Sequence, residues 1–214
     1  MSNGSNREDL IADIIAREWA FFQETQNMGG RAVCQDSPNT FALMRRSQFL
    51  SWSGETLASY LADLKDAQDE GRNPVAEKYG HMMRWTHPDE YARIENLLPP
   101  IPAASRALAE EIVAINLPWE EECDRTYPHM RSGGRPLRSE QDRDGWTSFE
   151  TYLRGELCSY SERTLRSLLA DCREAQACGR NPAAENLDVM ARGYGYASAA
   201  DYEERAARRA RGQG

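Results

Sequence analysis

The sequence predicts an all-α protein made of two pseudo-symmetric helical halves that pack as one compact unit. Three observations support this fold class. The chain of 214 residues is 40% hydrophobic and rich in Ala, Leu, Glu and Arg, which suits a globular helical protein and not a disordered one. Helix-capping patterns recur along it, whereas the alternating patterns of strands are missing. One long segment also occurs twice.

The repeated segment covers residues 57–77 and 165–185, which read LASYLADLKDAQDEGRNPVAE and LRSLLADCREAQACGRNPAAE. Thirteen of the 21 aligned positions are identical, where composition alone gives about one or two. Weaker matches at the same offset of 108 residues include Phe41 with Phe149, Trp52 with Tyr160 and Ser53 with Ser161. We therefore expect an internal tandem duplication, with a first repeat over residues 1–98 and a second over 106–214. The proline-rich segment 98–102 separates them, because proline lacks an amide donor and disfavours helix in the residue before it.

The first predicted helix opens with the capping box Ser5-x-x-Glu8 and carries one apolar stripe. The stripe comprises Leu10, Ile11, Ile14, Ile15 and Phe22. Further N-cap patterns begin predicted helices at Ser53, Ser161, Thr147-x-x-Glu150 and Ser198-x-x-Asp201.

The GRNP string of each repeat predicts a tight corner between two helices. Its glycine, Gly71 or Gly179, fits the left-handed position that ends a helix, because glycine has no Cβ to clash there. The asparagine is a predicted N-cap, and the proline after it fits the first position of the next helix. Backbone geometry does not explain the arginine, Arg72 or Arg180. It either hydrogen-bonds the last carbonyls of the preceding helix or binds an anion.

Charge and composition exclude several classes of protein. The net charge of −8 argues against general nucleic-acid binding, because phosphates repel it. The basic run at residues 205–211 fits a solvated helix end better than an RNA- or membrane-contacting tail. No apolar stretch approaches the roughly 20 residues of a membrane span, and no signal peptide is visible. Five cysteines without a CxxC pair fit a reducing compartment. We therefore expect a cytoplasmic protein without a membrane partner.

Two loops share the string GGR, at residues 29–31 and 133–135. Paired glycines let the backbone approach a ligand closely, and Arg31 or Arg135 can grip a carboxylate or phosphate with two hydrogen bonds. The alternative is a flexible turn with a solvated arginine. Because both repeats keep the string although the spacing around it differs, we predict that both arginines bind substrate.

An acid lies between two phenols on a helix face of the second repeat. Tyr152, Glu156 and Tyr160 are spaced four apart, with Arg154 on the same helix. The first repeat has Met44, Gln48 and Trp52 at the aligned positions. We predict catalytic proton transfer by Glu156 and the two tyrosines, with Arg154 and Gln48 binding substrate. A core carboxylate held by tyrosine hydroxyls, or a solvent-facing surface, is the alternative.

Metal and thiol chemistry have weaker support. Glu77 and His81 are four apart and could share a metal ion, but the second repeat has Glu185 and Val189 at the aligned positions. Cys34 would need a nearby base to act as a nucleophile. No P-loop, Rossmann fingerprint or nucleophile elbow is present, so the sequence predicts no metal site and identifies no cofactor.

Four strings together resemble a bacterial family known as domain of unknown function 4125. They are REWAFFQETQNMGGRAVCQD, FALMRRSQFLSW, GRNPVAEKYGHMMRWT and SFETYLRGELCSYSERTL, and the resemblance spans most of the chain. It implies a bacterial, cytoplasmic protein of a single module. It also marks as family positions, besides the ETYLxGEL string, Glu18, Asn27, Arg31, Gln35, Gln48, Lys78 and Tyr79. Such a group of polar residues exceeds what core packing requires, so we add Asn27 and Gln35 to the predicted substrate-binding residues.

Two functions from different classes remain open. We expect a small-molecule enzyme or ligand-binding protein that acts on an anionic metabolite, a carboxylate or phosphate, in a pocket between the two halves. The alternative is a helical protein–protein interaction module without catalysis. Repeat units of about a hundred residues in two copies are unlike those of helical solenoids, which favours the first function.

Overall fold

Eleven α-helices follow one another in the computed structural model, which describes residues 2–26, 30, 33–143 and 145–212. They are α1 (Ser2–Glu24), α2 (Pro38–Phe49), α3 (Gly54–Asp69), α4 (Pro74–Thr86), α5 (Pro88–Ile94), α6 (Ala103–Thr126), α7 (Pro128–Arg131), α8 (Phe149–Leu157), α9 (Glu162–Ala177), α10 (Pro182–Gly193) and α11 (Ala199–Ala210). Short 3₁₀ turns occur at Val33–Asp36, Glu95–Leu97 and Ser139–Gln141. Within these ranges no strand forms beyond an isolated bridge between Arg143 and Trp146. The all-α prediction is confirmed.

Most of the predicted helix starts are confirmed. Ser53, Ser161 and Ser198 each accept a hydrogen bond from the backbone amide three residues later, as N-caps do. Two starts were predicted wrongly. Ser148, not Thr147, caps α8, because its hydroxyl is the one that reaches the amide three residues on. Helix α1 begins at Ser2, so the predicted cap at Ser5 lies inside the helix.

The two GRNP corners have the predicted geometry. Gly71 and Gly179 have φ values of 68° and 64°. The amide of the following arginine donates to a carbonyl five residues back, at 2.8 and 2.9 Å, which is the Schellman ending of a helix. The arginine side chains were left unexplained by the sequence. Arg72 pairs with Glu77 at 3.0 Å, and Arg180 pairs with Glu185 at 2.6 Å, so each ion pair ties its corner to the next helix.

Helices α3 and α9 meet through reciprocal hydrogen bonds. Asp171 accepts from the backbone amide of Ser53 at 2.9 Å, and Asp63 accepts from that of Ser161 at 3.0 Å. Between them lie two hydroxyl pairs, Thr56 with Ser167 and Ser59 with Thr164. Each contact recurs with its partners exchanged at an offset of 108 residues.

The hydrophobic core is continuous across both repeats. One buried cluster runs from Ile11 of α1 to Ala199 of α11. Helix α4 packs on α8, and α10 packs on α2, so each repeat places a helix against the other. Because this buried apolar surface is continuous, the chain packs as one compact unit. Among the described helices, none combines the length and apolar character needed to cross a bilayer.

Candidate functional site

A buried ionic network joins helices of both repeats, and Arg45 of α2 lies at its centre. The Arg45 guanidinium donates to both oxygens of Glu18 on α1, at 2.5 and 2.7 Å, and to Glu156 of α8 at 3.0 Å. Its side chain is 13% exposed, against 4% for Glu18 and 6% for Glu156. Tyr60 of α3 donates to Glu18 at 2.7 Å. Two buried carboxylates therefore share one arginine, and each also accepts hydrogen bonds from neutral donors.

Glu156 has a second cation and two neutral partners. The Lys78 ammonium of α4 lies 3.4 Å from one of its oxygens. Tyr160 and the Gln48 amide donate to the other oxygen, at 2.8 and 3.4 Å. Lys78 also donates to the phenol oxygen of Tyr152 at 2.6 Å. The predicted face of Tyr152, Glu156 and Tyr160 is thus assembled, and a lysine links its acid to one of its phenols.

The environment holds these groups in defined protonation states. Burial opposes the charge on Glu156, but Arg45 and Lys78 outweigh it and hold the carboxyl pKa well below its ordinary value. Burial likewise opposes the charge on Lys78, but Tyr152 and Glu156 hold its pKa above the usual range. Burial, and then Glu156, raise the pKa of Tyr160. At neutral pH Glu156 is therefore an ionised acceptor, not a proton donor, and Tyr160 stays a neutral phenol.

A glycine allows the close approach of α4 and α8 on which this geometry depends. A Cβ on Gly155 would lie 2.2 Å from the Cγ of Met82 and 3.0 Å from the backbone oxygen of Lys78. Both distances are below normal contact, so only glycine fits without displacing α4. The adjacent residue on α8 is Glu156, and Lys78 can reach it because the two backbones pack so closely.

The network borders a cavity of about 250 Å³. Helices α2, α6, α8, α9 and α10 contribute to its walls, so both repeats enclose it. Gln48, Tyr152, Glu156 and Tyr160 provide the polar wall on the network side. The remaining wall is largely apolar, but it also includes the charged side chains of Glu120, Arg131 and Asp171.

Arg135 lies over the ring of Tyr152. Its guanidinium carbon is 4.4 Å from the centre of the Tyr152 ring, and the Lys78 ammonium is 4.1 Å from the same centre. Arg135 is exposed, and one of its nitrogens donates to the backbone oxygen of Thr147 at 3.0 Å. The second GGR loop therefore places a solvent-accessible cation beside a tyrosine that lines the cavity.

Other predicted substrate-binding residues lie elsewhere. Arg154 is two residues from Glu156, so it faces away from the network and pairs with Glu110 and Glu150 at 3.0 and 2.8 Å. Gln35 is buried against the end of α1, where its amide donates to the backbone oxygens of Phe22 and Thr25. Asn27 and Arg31 lie outside the described residues. In the part of the chain that the structure describes, no three His, Cys, Asp or Glu side chains gather as metal ligands.

Comparison with models of known protein families identifies the family of this chain. A family model described as "Protein of unknown function (DUF4125)" matches residues 8–204, which is most of the chain. The protein belongs to this family. No curated protein and no solved structure matches it. The resemblance of the four sequence strings to DUF4125 is thereby confirmed.

In this DUF4125 chain, sequence reasoning missed Arg45 and Tyr60. One signal could have found them, because residues 108 positions later are apolar, Leu153 for Arg45 and Leu168 for Tyr60. A charge or hydroxyl that is present at one of two aligned positions and absent from the other distinguishes the two segments. Lys78, which aligns with Asn186, follows the same pattern.

Proposed function

We propose that this protein is a small-molecule enzyme or ligand-binding protein that takes an anionic metabolite into the cavity beside Glu156. One observation carries the proposal: Glu156, which belongs to a buried network of two cations and two carboxylates, lines that cavity. Buried charges cost free energy and add little stability compared with apolar packing, so such networks are concentrated at functional sites. Here the network provides the polar wall of a pocket bordered by both repeats.

The anionic group of the ligand is proposed to bind beside Tyr152, because Arg135 and Lys78 both lie over its ring. Arg135 has the exposed guanidinium that can fork onto a carboxylate or phosphate. Lys78 places positive charge 2.6 Å from the phenol oxygen, where it offsets negative charge that arises during proton transfer. Of the three predicted catalytic residues, Tyr152 is then the proton carrier. Glu156 and Tyr160 hold Lys78 and the cavity wall in place.

The two halves are proposed to derive from a tandem duplication, in a bacterial and cytoplasmic protein. The reciprocal α3–α9 contacts and the repeated GRNP corners support the duplication. After duplication, one repeat kept Arg45 and Lys78 at positions where the other has Leu153 and Asn186. The divergence leaves one charged network beside one cavity.

Thermal shift against a panel of carboxylated and phosphorylated metabolites tests the proposal. A ligand at about 100 times its Kd adds about 2.7 kcal/mol, which raises the Tm of a chain of this size by about 5–10 °C. Arg135→Ala should weaken such a ligand by about tenfold or more, because a charge-assisted hydrogen bond is lost. Arg143→Ala is the matched control, since Arg143 is also exposed and its guanidinium lies 5.9 Å from the ring of Trp146.

Selective stabilisation that Arg135→Ala removes and Arg143→Ala keeps would support the pocket. A panel without any stabilising anion, or equal loss in both variants, would refute it. The second function, a helical interaction module, would then be tested by measuring whether the protein co-elutes with captured partner proteins in size-exclusion chromatography. Its support is limited to exposed apolar side chains such as Trp85 and Leu97, which are common singly on protein surfaces.

A further inference from the structure

A second cavity, of about 240 Å³, lies on the opposite side of α8. Helices α4, α5, α6 and α8 contribute to its walls, and it shares no lining residue with the cavity beside Glu156. Trp85 and Tyr91 provide aromatic wall, and Arg154 reaches it from α8. The arginine that the sequence grouped with Glu156 therefore belongs to a separate site.

His81 is a buried polar group of this cavity that the fold leaves without a partner. It lines the cavity and is 3% exposed. Neither ring nitrogen makes a hydrogen bond to any residue that the structure describes. Burying such a group unpaired is unfavourable, because its nitrogens lose their hydrogen bonds to water. Burial, and then Arg84, lower the pKa of His81 to about 4, so at neutral pH its ring is neutral, with one donor and one acceptor nitrogen.

The charges around the cavity favour an anion. Three arginines line it, Arg84, Arg106 and Arg154, against one acid, Glu110. Arg154 is neutralised by Glu110 and by Glu150. Arg84 and Arg106 are exposed, and neither forms an ion pair among the described residues, although the Arg84 guanidinium lies 6.0 Å from the centre of the Trp85 ring. Two uncompensated cations thus stand at the mouth of a cavity whose wall holds an unpaired imidazole.

We propose that this cavity binds a small oxyanion, a carboxylate or a phosphate, gripped by Arg84 and Arg106 and hydrogen-bonded by the ring N–H of His81. Both arginines project from exposed positions, so their guanidinium groups are free to donate charge-assisted hydrogen bonds to a ligand. Trp85 and Tyr91 line the cavity and can pack against the ring of an aromatic carboxylate. The site is independent of the proposed function, because its residues lie outside the Glu156 network.

The test uses ¹⁵N-histidine-labelled full-length protein, titrated at pH 7 with sodium benzoate and, separately, with inorganic phosphate. The chain has three histidines, so the signals of His87 and His129 serve as controls in the same spectrum. Nδ1 of His87 lies 2.9 Å from the Thr86 hydroxyl, and Nδ1 of His129 lies 2.5 Å from Glu203. Sodium chloride at equal ionic strength controls for screening.

A saturable shift of the His81 ring signals, with the other two histidines unmoved, supports the site. The double variant Arg84→Gln/Arg106→Gln should weaken this binding by about tenfold or more. The control double variant Arg166→Gln/Arg205→Gln, which removes two exposed arginines elsewhere, should keep it. Whichever probe saturates at lower concentration identifies the anion class. No saturable shift with either probe, an equal shift with chloride, or equal weakening in both double variants would overturn the proposal.

Discussion

Replacing Arg45 with methionine tests how much the buried network contributes to the fold. Methionine keeps most of the length of the stem and removes the guanidinium, which makes four hydrogen bonds to Glu18, Gln48 and Glu156. Two carboxylates that are 4% and 6% exposed would lose their shared cation. Breaking a buried pair in this way costs about 3–5 kcal/mol, because a buried charge is left uncompensated.

The adjacent arginine provides the matched control. Arg46 pairs with Glu8 at the surface, with side chains that are 44% and 50% exposed. Arg46→Met should therefore cost less than about 1 kcal/mol. Urea denaturation followed by circular dichroism, at pH 7, measures both free energies of unfolding. Similar losses in the two variants would refute the account of a buried network.

The destabilisation by Arg45→Met should also depend on pH. The pKa of Glu156 is lowered in the folded protein, so its ionisation stabilises the fold above the unfolded value of about 4.3. That contribution is lost as the pH falls through the folded pKa. Without Arg45 the folded pKa of Glu156 rises, so the difference between the variant and wild type should shrink as the pH falls below about 4.3, towards the lowered wild-type pKa. A loss of equal size at pH 7 and at about pH 3, well below the unfolded value, would contradict this origin.

Three other predictions concern packing and capping, and urea denaturation measures each. Gly155→Ala should cost about 1–3 kcal/mol of unfolding free energy, because the new Cβ would clash with Met82, even though alanine favours helix. Gly54 has open space around it, so the control Gly54→Ala should be neutral or stabilising. Asn181→Ala should cost about 1 kcal/mol through loss of the α10 cap, and an unchanged free energy of unfolding would contradict that role. Tyr60→Phe should cost about 1–3 kcal/mol, because a buried carboxylate loses a donor, and an unchanged free energy would contradict the hydrogen bond to it.

Local features of the fold were predictable because their causes are local. A serine cap needs only the amide three residues on, and a GRNP corner needs only glycine, asparagine and proline in order. The two misplaced helix starts show the limit of this reasoning. Ser148 and Thr147 are both good caps, and only the course of the preceding loop decides which hydroxyl faces the helix.

The candidate site was only half predictable, because its parts come from distant segments. The spacing of Tyr152, Glu156 and Tyr160 revealed one face, and helical geometry should have removed Arg154 from it at once. Arg45 lies 111 residues from Glu156, and no local pattern joins them. Only the packing of α2, α4 and α8 shows that the acid is held ionised. The unpaired ring of His81 likewise becomes visible only when its surroundings are known.

A crystal structure of the protein with the anion that stabilises it most in the thermal shift panel tests the central claim most directly. Density for the ligand is expected in the cavity beside Glu156, with its anionic group in contact with Arg135 and with the remainder adjoining Tyr152. A ligand bound only in the cavity of His81, or only at the outer surface, would contradict the assignment of the Glu156 network as the functional site.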